Sequence, residues 1–183
     1  LINLVDTAMV GTLGDSALAA VGLASFVNFM AVSFMMGMSS GVQATCARWK
    51  GAGRNGEIAL PLNGGLLLAL VVCLPLTVVL YLATPAILAA LAPDPAVAAV
   101  GTDYLQLRLL GMTAVGMNFS FRGYWNAMNM SRLYMATLIA MHLSAIALNW
   151  VLIFGNLGAP AMGARGAGLS NAISVWVGLG VYL

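Results

Sequence analysis

The sequence predicts an all-α integral membrane protein, a bundle of six transmembrane helices, and three observations carry that reading. Charged residues make up 7% of the chain and apolar residues 62%, a balance that excludes a soluble domain on composition. Uncharged stretches cover residues 16–47, 58–93, 133–164 and 166–183. Each is long enough to span, since roughly 20 residues at 1.5 Å rise cross the hydrocarbon core. Breaks fall at Pro93 and Pro95 and again at Gly155-Asn-Leu-Gly158-Ala-Pro160, where helix-breaking residues cluster.

In chain order the expected spans are 1–12, 17–46, 57–83, 104–128, 132–155 and 165–183. The first is short because the chain opens mid-helix, and the last ends without a closing polar residue, so both are expected to be truncated. The first is no signal peptide: no basic region precedes it, and Asp6 interrupts its apolar run. In the fourth span, which starts near Tyr104, Arg108 and Arg122 are expected to sit at the membrane interfaces.

Alternating the span ends gathers Arg48, Lys50, Arg54, Arg122 and Arg132 on one side and leaves Arg108 and Arg165 toward the other. The positive-inside rule makes the richer side cytoplasmic, which places the N-terminus in the cytoplasm of a multi-pass protein. The net charge of +2 is then a topology signal and not a nucleic-acid footprint, and no nucleic-acid partner is expected. Cys46 and Cys73 fall in different spans without metal-ligand spacing and read as small packing residues. Gly37-Met-Ser-Ser-Gly41 has the small-residue spacing that permits close helix approach. Gly51-Ala-Gly53-Arg-Asn-Gly56 matches a dinucleotide fingerprint in form only, because it follows a membrane helix and lacks the later acid.

The chemistry of the chain centres on Asp6. An acid within an apolar membrane run is costly and is functional by default, because desolvation raises a carboxyl pKa toward neutrality, where a proton or Na+ can occupy it. The plain alternative is a hydrogen bond to a neighbouring helix. Asn28, Asn118 and Asn171 are amides at membrane depth that must face a cavity or another helix. His142 lies seven residues before Asn149, two helical turns away on one face, so both are cavity candidates. A histidine can relay protons, but a lone one is more often a hydrogen-bonded packing residue. The methionines of the second and fourth spans suit adaptable apolar contact with small organic molecules.

The run Val5-Asp6-Thr7-Ala8-Met9-Val10-Gly11, then Leu13-Gly14 and Ala17-Leu18-Ala19-Ala20-Val21-Gly22-Leu23, resembles the first hairpin of the multidrug and toxic compound extrusion (MATE) family. Gly51-Ala52-Gly53, Tyr104-Leu105 with Arg108, and Leu152-Ile153-Phe154-Gly155 before Gly163-Ala-Arg-Gly166-Ala-Gly168 agree in order and spacing. The resemblance implies two six-helix lobes around a central cavity, with residues 1–183 forming the N-terminal lobe and a C-terminal lobe as its missing partner. It implies a secondary antiporter of the bacterial-type inner (plasma) membrane that exports organic, often cationic, compounds against Na+ or H+. It requires no cofactor. Asp6 matches the carboxylate to which the family assigns ion coupling. Where one branch carries Leu-Asp-Pro, this chain reads Leu148-Asn149-Trp150, as in the NorM-like rather than the two-carboxylate members; Asn149 can hydrogen-bond but carries no proton. No phosphate-binding loop or nucleophile elbow is present, so an enzyme is not expected. The alternatives are a lipid-linked oligosaccharide flippase of the same superfamily, which calls for a more cationic cavity, and, remotely, an intramembrane hydrolase using Asp6 and His142.

Overall fold

A computed structural model describes residues 2–182, with the side chains of residues 2–5 and of Asn55 left aside. Leu1 and Leu183, the ends of the first and last expected spans, and the Val5 side chain lie outside the described residues. The described residues form these helices, joined by short turns: α1 Ile2–Gly11, α2 Asp15–Gly51, α3 Ala59–Leu91, α4 Pro95–Leu109, α5 Met112–Ala127, α6 Ser131–Phe154 and α7 Ala164–Gly180. Three of these, α2, α3 and α6, are individually long and apolar enough to cross a membrane.

Seven helices replace the six expected spans, because the fourth span begins earlier and breaks midway. Asp94 caps α4 by accepting the Ala96 amide at 2.9 Å, and Pro95 occupies the first helical position, where a missing N–H costs nothing. The helix therefore starts at the proline break and runs through Asp103, whose exposed carboxylate lies 3.7 Å from Arg165 Nε on α7. An acid at the membrane surface need not end a helix, and this one is half-exposed. The break at Leu110-Gly111 divides α4 from α5, and Trp176 Nε1 donates to the freed Leu110 carbonyl at 3.2 Å.

Helix α3 carries two irregularities and satisfies the polar groups they free. Residues Ala69–Cys73 widen into a π-helical turn just before Pro75. Pro85 removes the N–H that would bond the Tyr81 carbonyl, and Gln106 Nε2 of α4 donates to that carbonyl at 3.1 Å instead. Within hydrocarbon such a repair is required, because no water is available to the exposed group.

Helix α2 packs along both α4 and α5, α6 pairs with α7, α7 lies against α4, and α1 sits across α2, α6 and α7. The core joins Val21, Ala24 and Met35 of α2 to Ala69, Cys73 and Leu88 of α3 and to Tyr104, Leu105 and Leu109 of α4. Cys46 and Cys73 are both buried free thiols, as packing residues should be. The outer face carries large apolar groups such as Phe34 and Leu82, each 72% exposed, a surface suited to lipid. At one end Lys50 Nζ donates to the Met128 carbonyl at 3.3 Å, which ties the last turn of α2 to the residue after α5.

Close helix approach is achieved by glycines other than the expected pair. Gly37 and Gly41 have no atom within 4 Å of where a Cβ would stand, and they line an open recess between α2 and α3. The contacts occur instead at Gly123, whose missing Cβ leaves room for the Ser39 carbonyl of α2, and at Gly168, which seats against the Tyr104 carbonyl of α4. We therefore expect Gly123→Ala and Gly168→Ala each to cost about 1–3 kcal/mol through overpacking. Gly41→Ala should remain within the ~0.5 kcal/mol typical of unconstrained positions. Thermal unfolding of the detergent-solubilised variants measures the contrast.

Candidate functional site

Helix α1 is short, and its position against α6 and α7 places Asp6 inside the bundle, 1% exposed. A buried carboxylate needs donors for its oxygens. Two amides supply them: Asn149 Nδ2 of α6 donates to one oxygen at 2.5 Å, and Asn171 Nδ2 of α7 donates to the other at 2.6 Å. Both asparagines are themselves buried.

The network continues beyond the acid. The Ser170 hydroxyl donates to Asn149 Oδ1 and lies 3.5 Å from the Ala145 carbonyl. Asn171 Nδ2 also reaches the Ala167 carbonyl of its own helix at 3.0 Å, and Ser174 donates to the Ser170 carbonyl at 2.6 Å. Three helices thus converge on one charge. Every oxygen and amide hydrogen engaged here serves a neighbour inside the network, so a change of charge at Asp6 must be answered by Asn149 and Asn171 first.

Asn171 has a second role, because it also lines a cavity of about 300 Å³. Asn28 and His142 line the same cavity, as do Ser25, Arg108 and the apolar Phe29 and Met141. His142 Nδ1 pairs with the Leu138 carbonyl at 2.6 Å, one turn back on α6, so the ring is both hydrogen-bonded and cavity-facing. Asn149 is buried away from the cavity lining, and the shared helical face of His142 and Asn149 does not bring them to one surface.

Asn118 occupies a neighbouring void of about 170 Å³, which shares Val115, Phe119, Met141 and Val175 with the larger one. Its Nδ2 donates to the Ala114 carbonyl at 2.9 Å and to the Val175 carbonyl of α7 at 3.1 Å, while its Oδ1 is buried without a protein partner. It is therefore a link between α5 and α7, removed from Asp6. A larger recess, about 590 Å³ between α2 and α3, is lined almost wholly by apolar and glycine positions and touches none of these polar groups. Size alone does not locate the chemistry.

Two residues of the site escaped the sequence reading. Ser170 gave no signal, because serines are common in membrane helices and only the fold sets it against Asn149. Arg108 was expected at a membrane interface and not as part of a site; it stands thirteen residues into α4, which begins at Pro95. It lies part-buried beside the α4–α5 break, its Nη1 donating to the Tyr104 hydroxyl and standing 3.4 Å from Ser25 Oγ of α2. The Asp94-Pro95 cap was the signal that would have placed it correctly.

Nearly the whole chain matches known proteins in sequence and in fold. The chain is 29% identical over 176 residues to the multidrug resistance protein NorM of Vibrio cholerae, which covers 96% of this chain and 38% of that protein. It is 35% identical over 173 residues to a probable multidrug resistance protein NorM of Aromatoleum aromaticum, covering 94% and 37%. The chain thus spans under two-fifths of the length of these relatives. Among solved structures, a MATE transporter in a bent conformation superposes with a TM-score of 0.89 at 24% identity, covering 99% of this chain and 40% of that one. An outward-facing multidrug resistance transporter of the same family gives 0.87 at 23% identity, covering 98% and 39%. The MatE family model matches residues 1–151, a segment that holds Asp6, Asn149 and the cavity-lining residues of α2, α4, α5 and α6, and the chain belongs to that family.

Proposed function

We propose that this chain is the N-terminal lobe of a secondary multidrug antiporter, in which Asp6 couples the inward flow of Na+ or H+ to the export of organic compounds by alternating access. The observation that carries the proposal is the Asp6 carboxylate, buried and bridged by amides from two different helices. Membership of a family whose matched members include multidrug resistance proteins supports it.

The coupling follows from hydrogen-bond arithmetic. An ionised carboxylate only accepts, so both amides must turn their N–H groups toward it. Protonation converts one oxygen into a donor, and that amide must then rotate to present its carbonyl oxygen. Na+ makes the same demand, since it binds oxygen atoms and is repelled by amide hydrogens. Either event turns Asn149 or Asn171, and through Asn149 it disturbs Ser170. Occupancy of Asp6 thereby changes how α1 is held against α6 and α7, and a ligand shifts a conformational equilibrium by its differential affinity for the two states.

Asn171 connects this switch to the cavity in which the exported molecule is held. The apolar side chains Phe29, Met112, Phe119 and Met141 supply an adaptable wall, and Asn28 and His142 supply polar contacts. A partner lobe closes the cavity from the opposite side. We place the protein in the bacterial inner membrane with its N-terminus in the cytoplasm, on the strength of the basic residues at the α2–α3 and α5–α6 ends.

Three outcomes test the proposal. In the full-length transporter, Asp6→Asn should abolish gradient-driven dye efflux while leaving the protein expressed and folded, because size persists and one of the two facing amides can rotate to offer its carbonyl oxygen to the new N–H. Ion-driven efflux by that variant would move the coupling site elsewhere. Asn149→Leu should cost about 1–3 kcal/mol, since it strips a donor from the buried charge and the acceptor from Ser170, and should weaken transport. Ser170→Ala should cost less, and denaturation in detergent ranks the two. For topology, a cysteine at Gly56 should be protected from an impermeant thiol reagent in intact cells and one at Asp94 labelled, with Cys46 and Cys73 buried and silent.

A further inference from the structure

The recess of about 590 Å³ between α2 and α3 is an apolar trough with a basic mouth. Gly41 of α2 and Gly64 of α3 stand on its two walls, and neither has an atom within 4 Å of where a Cβ would be. Gly65 belongs to the floor, pressed against Val42 of α2 and Ser120 of α5. The Thr45 hydroxyl, the one polar side-chain group on the lining, is already donated to the Gly41 carbonyl at 2.9 Å. Water needs polar partners that such a lining does not offer. At 100° per residue, Phe34, Gly41 and Thr45 fall on the far side of α2 from Asn28, Phe29 and Val32, which line the cavity beside Asn171.

From Phe34 to Thr45 the trough follows about 17 Å of α2, close to the roughly 15 Å of hydrocarbon in one leaflet. Beyond Thr45 the chain turns basic. Arg48, exposed and one turn further along the same face, is followed by Lys50 and Arg54. Glu57, the one acid between Asp15 and Asp94, is paired with Arg54, so the mouth keeps a net positive charge. On the other side of Phe34 a second recess, of about 540 Å³, also lies between α2 and α3. It is equally apolar, but it ends at Leu91, three residues before Asp94.

We infer that the trough is a binding site for an anionic phospholipid, with an acyl chain lying against Gly41 and Gly64 and the phosphate paired with Arg48. A planar guanidinium meets phosphate through parallel N–H groups. Its aliphatic stem follows apolar surface while the charged head reaches the headgroup level. The acyl chain supplies the dispersion contacts that the glycines leave unmade. The second recess, with an acid beyond its end, takes chains without regard to headgroup charge. This inference draws on the membrane setting of the bundle and its basic end, and it is independent of the coupling role of Asp6.

The rival occupant of the trough is a helix of the facing lobe. The full-length transporter, purified in detergent and given phosphatidylglycerol or phosphatidylcholine with a photoreactive diazirine in one acyl chain, separates the two. Illumination should attach phosphatidylglycerol, in preference to phosphatidylcholine, to the peptides that hold Gly41 and Gly64. Gly41→Leu and Gly64→Leu, which fill the trough, should each lose that attachment and keep attachment to the peptide that holds Leu80. Arg48→Gln should cut the preference for phosphatidylglycerol roughly fivefold, the factor that one arginine contributes at an anionic surface. Arg48→Lys should retain part of it. Because Arg48 is exposed, its variants report on the headgroup even where a leucine variant does not fold. Absence of either lipid from the trough peptides would hand the trough to a protein helix. Equal attachment of the two lipids, or a preference that survives Arg48→Gln, would remove the anionic headgroup. Each of these results overturns the proposal.

Discussion

A carboxylate can be kept inside a lipid-embedded bundle only if the protein replaces the water it has lost, and the packing of α1, α6 and α7 answers that demand. Asp6 receives one amide from α6 and one from α7, so the three helices are held to a common level by a single charge. The amides in turn need partners. Ser170 satisfies Asn149, and the Ala167 carbonyl shares the Asn171 amide. Small residues around these positions let the helices come near enough for such short side chains to meet: Gly166 seats against the Leu152 backbone of α6, and Gly168 against Tyr104 of α4.

The same requirement explains the irregular helices. Pro85 and the Leu110-Gly111 break each free a backbone carbonyl in a region without water, and each carbonyl is met by a side chain from another helix, Gln106 for Tyr81 and Trp176 for Leu110. Helix α7 is common to several of these repairs. It carries Asn171 to Asp6, Trp176 to the α4–α5 break and the Val175 carbonyl to Asn118. A displacement of α7 would thus be felt at the acid, at the cavity and at the break together, because those contacts sit along one rigid element.

Inside the described bundle, polar groups gather around Asp6 and around the adjoining cavity. Around Asp6 the surroundings are closed and donor-rich. In the adjoining cavity the charge is Arg108, set among aromatic and thioether side chains. Asn171, uncharged and able to donate and accept, stands between them.

The sequence by itself determined the class of the protein, because composition and the length of uncharged runs respond only to the solvent, and the solvent is lipid. It also marked Asp6, since an acid in an apolar run is conspicuous in one dimension. Asn149 and Asn171 were legible as amides at membrane depth, but their convergence on Asp6 was not, because 143 and 165 residues separate them from it. The start of α4 was written in Asp94-Pro95, nine residues before the start expected near Tyr104. Only the tertiary structure decided that Gly37 and Gly41 face an open recess while Gly123 and Gly168 make the close contacts, and that Ser170 completes the acid's network. Spacing along one helix fixes which residues share a face; what that face meets depends on the rotation of every neighbouring helix, and that is set by packing over the whole bundle.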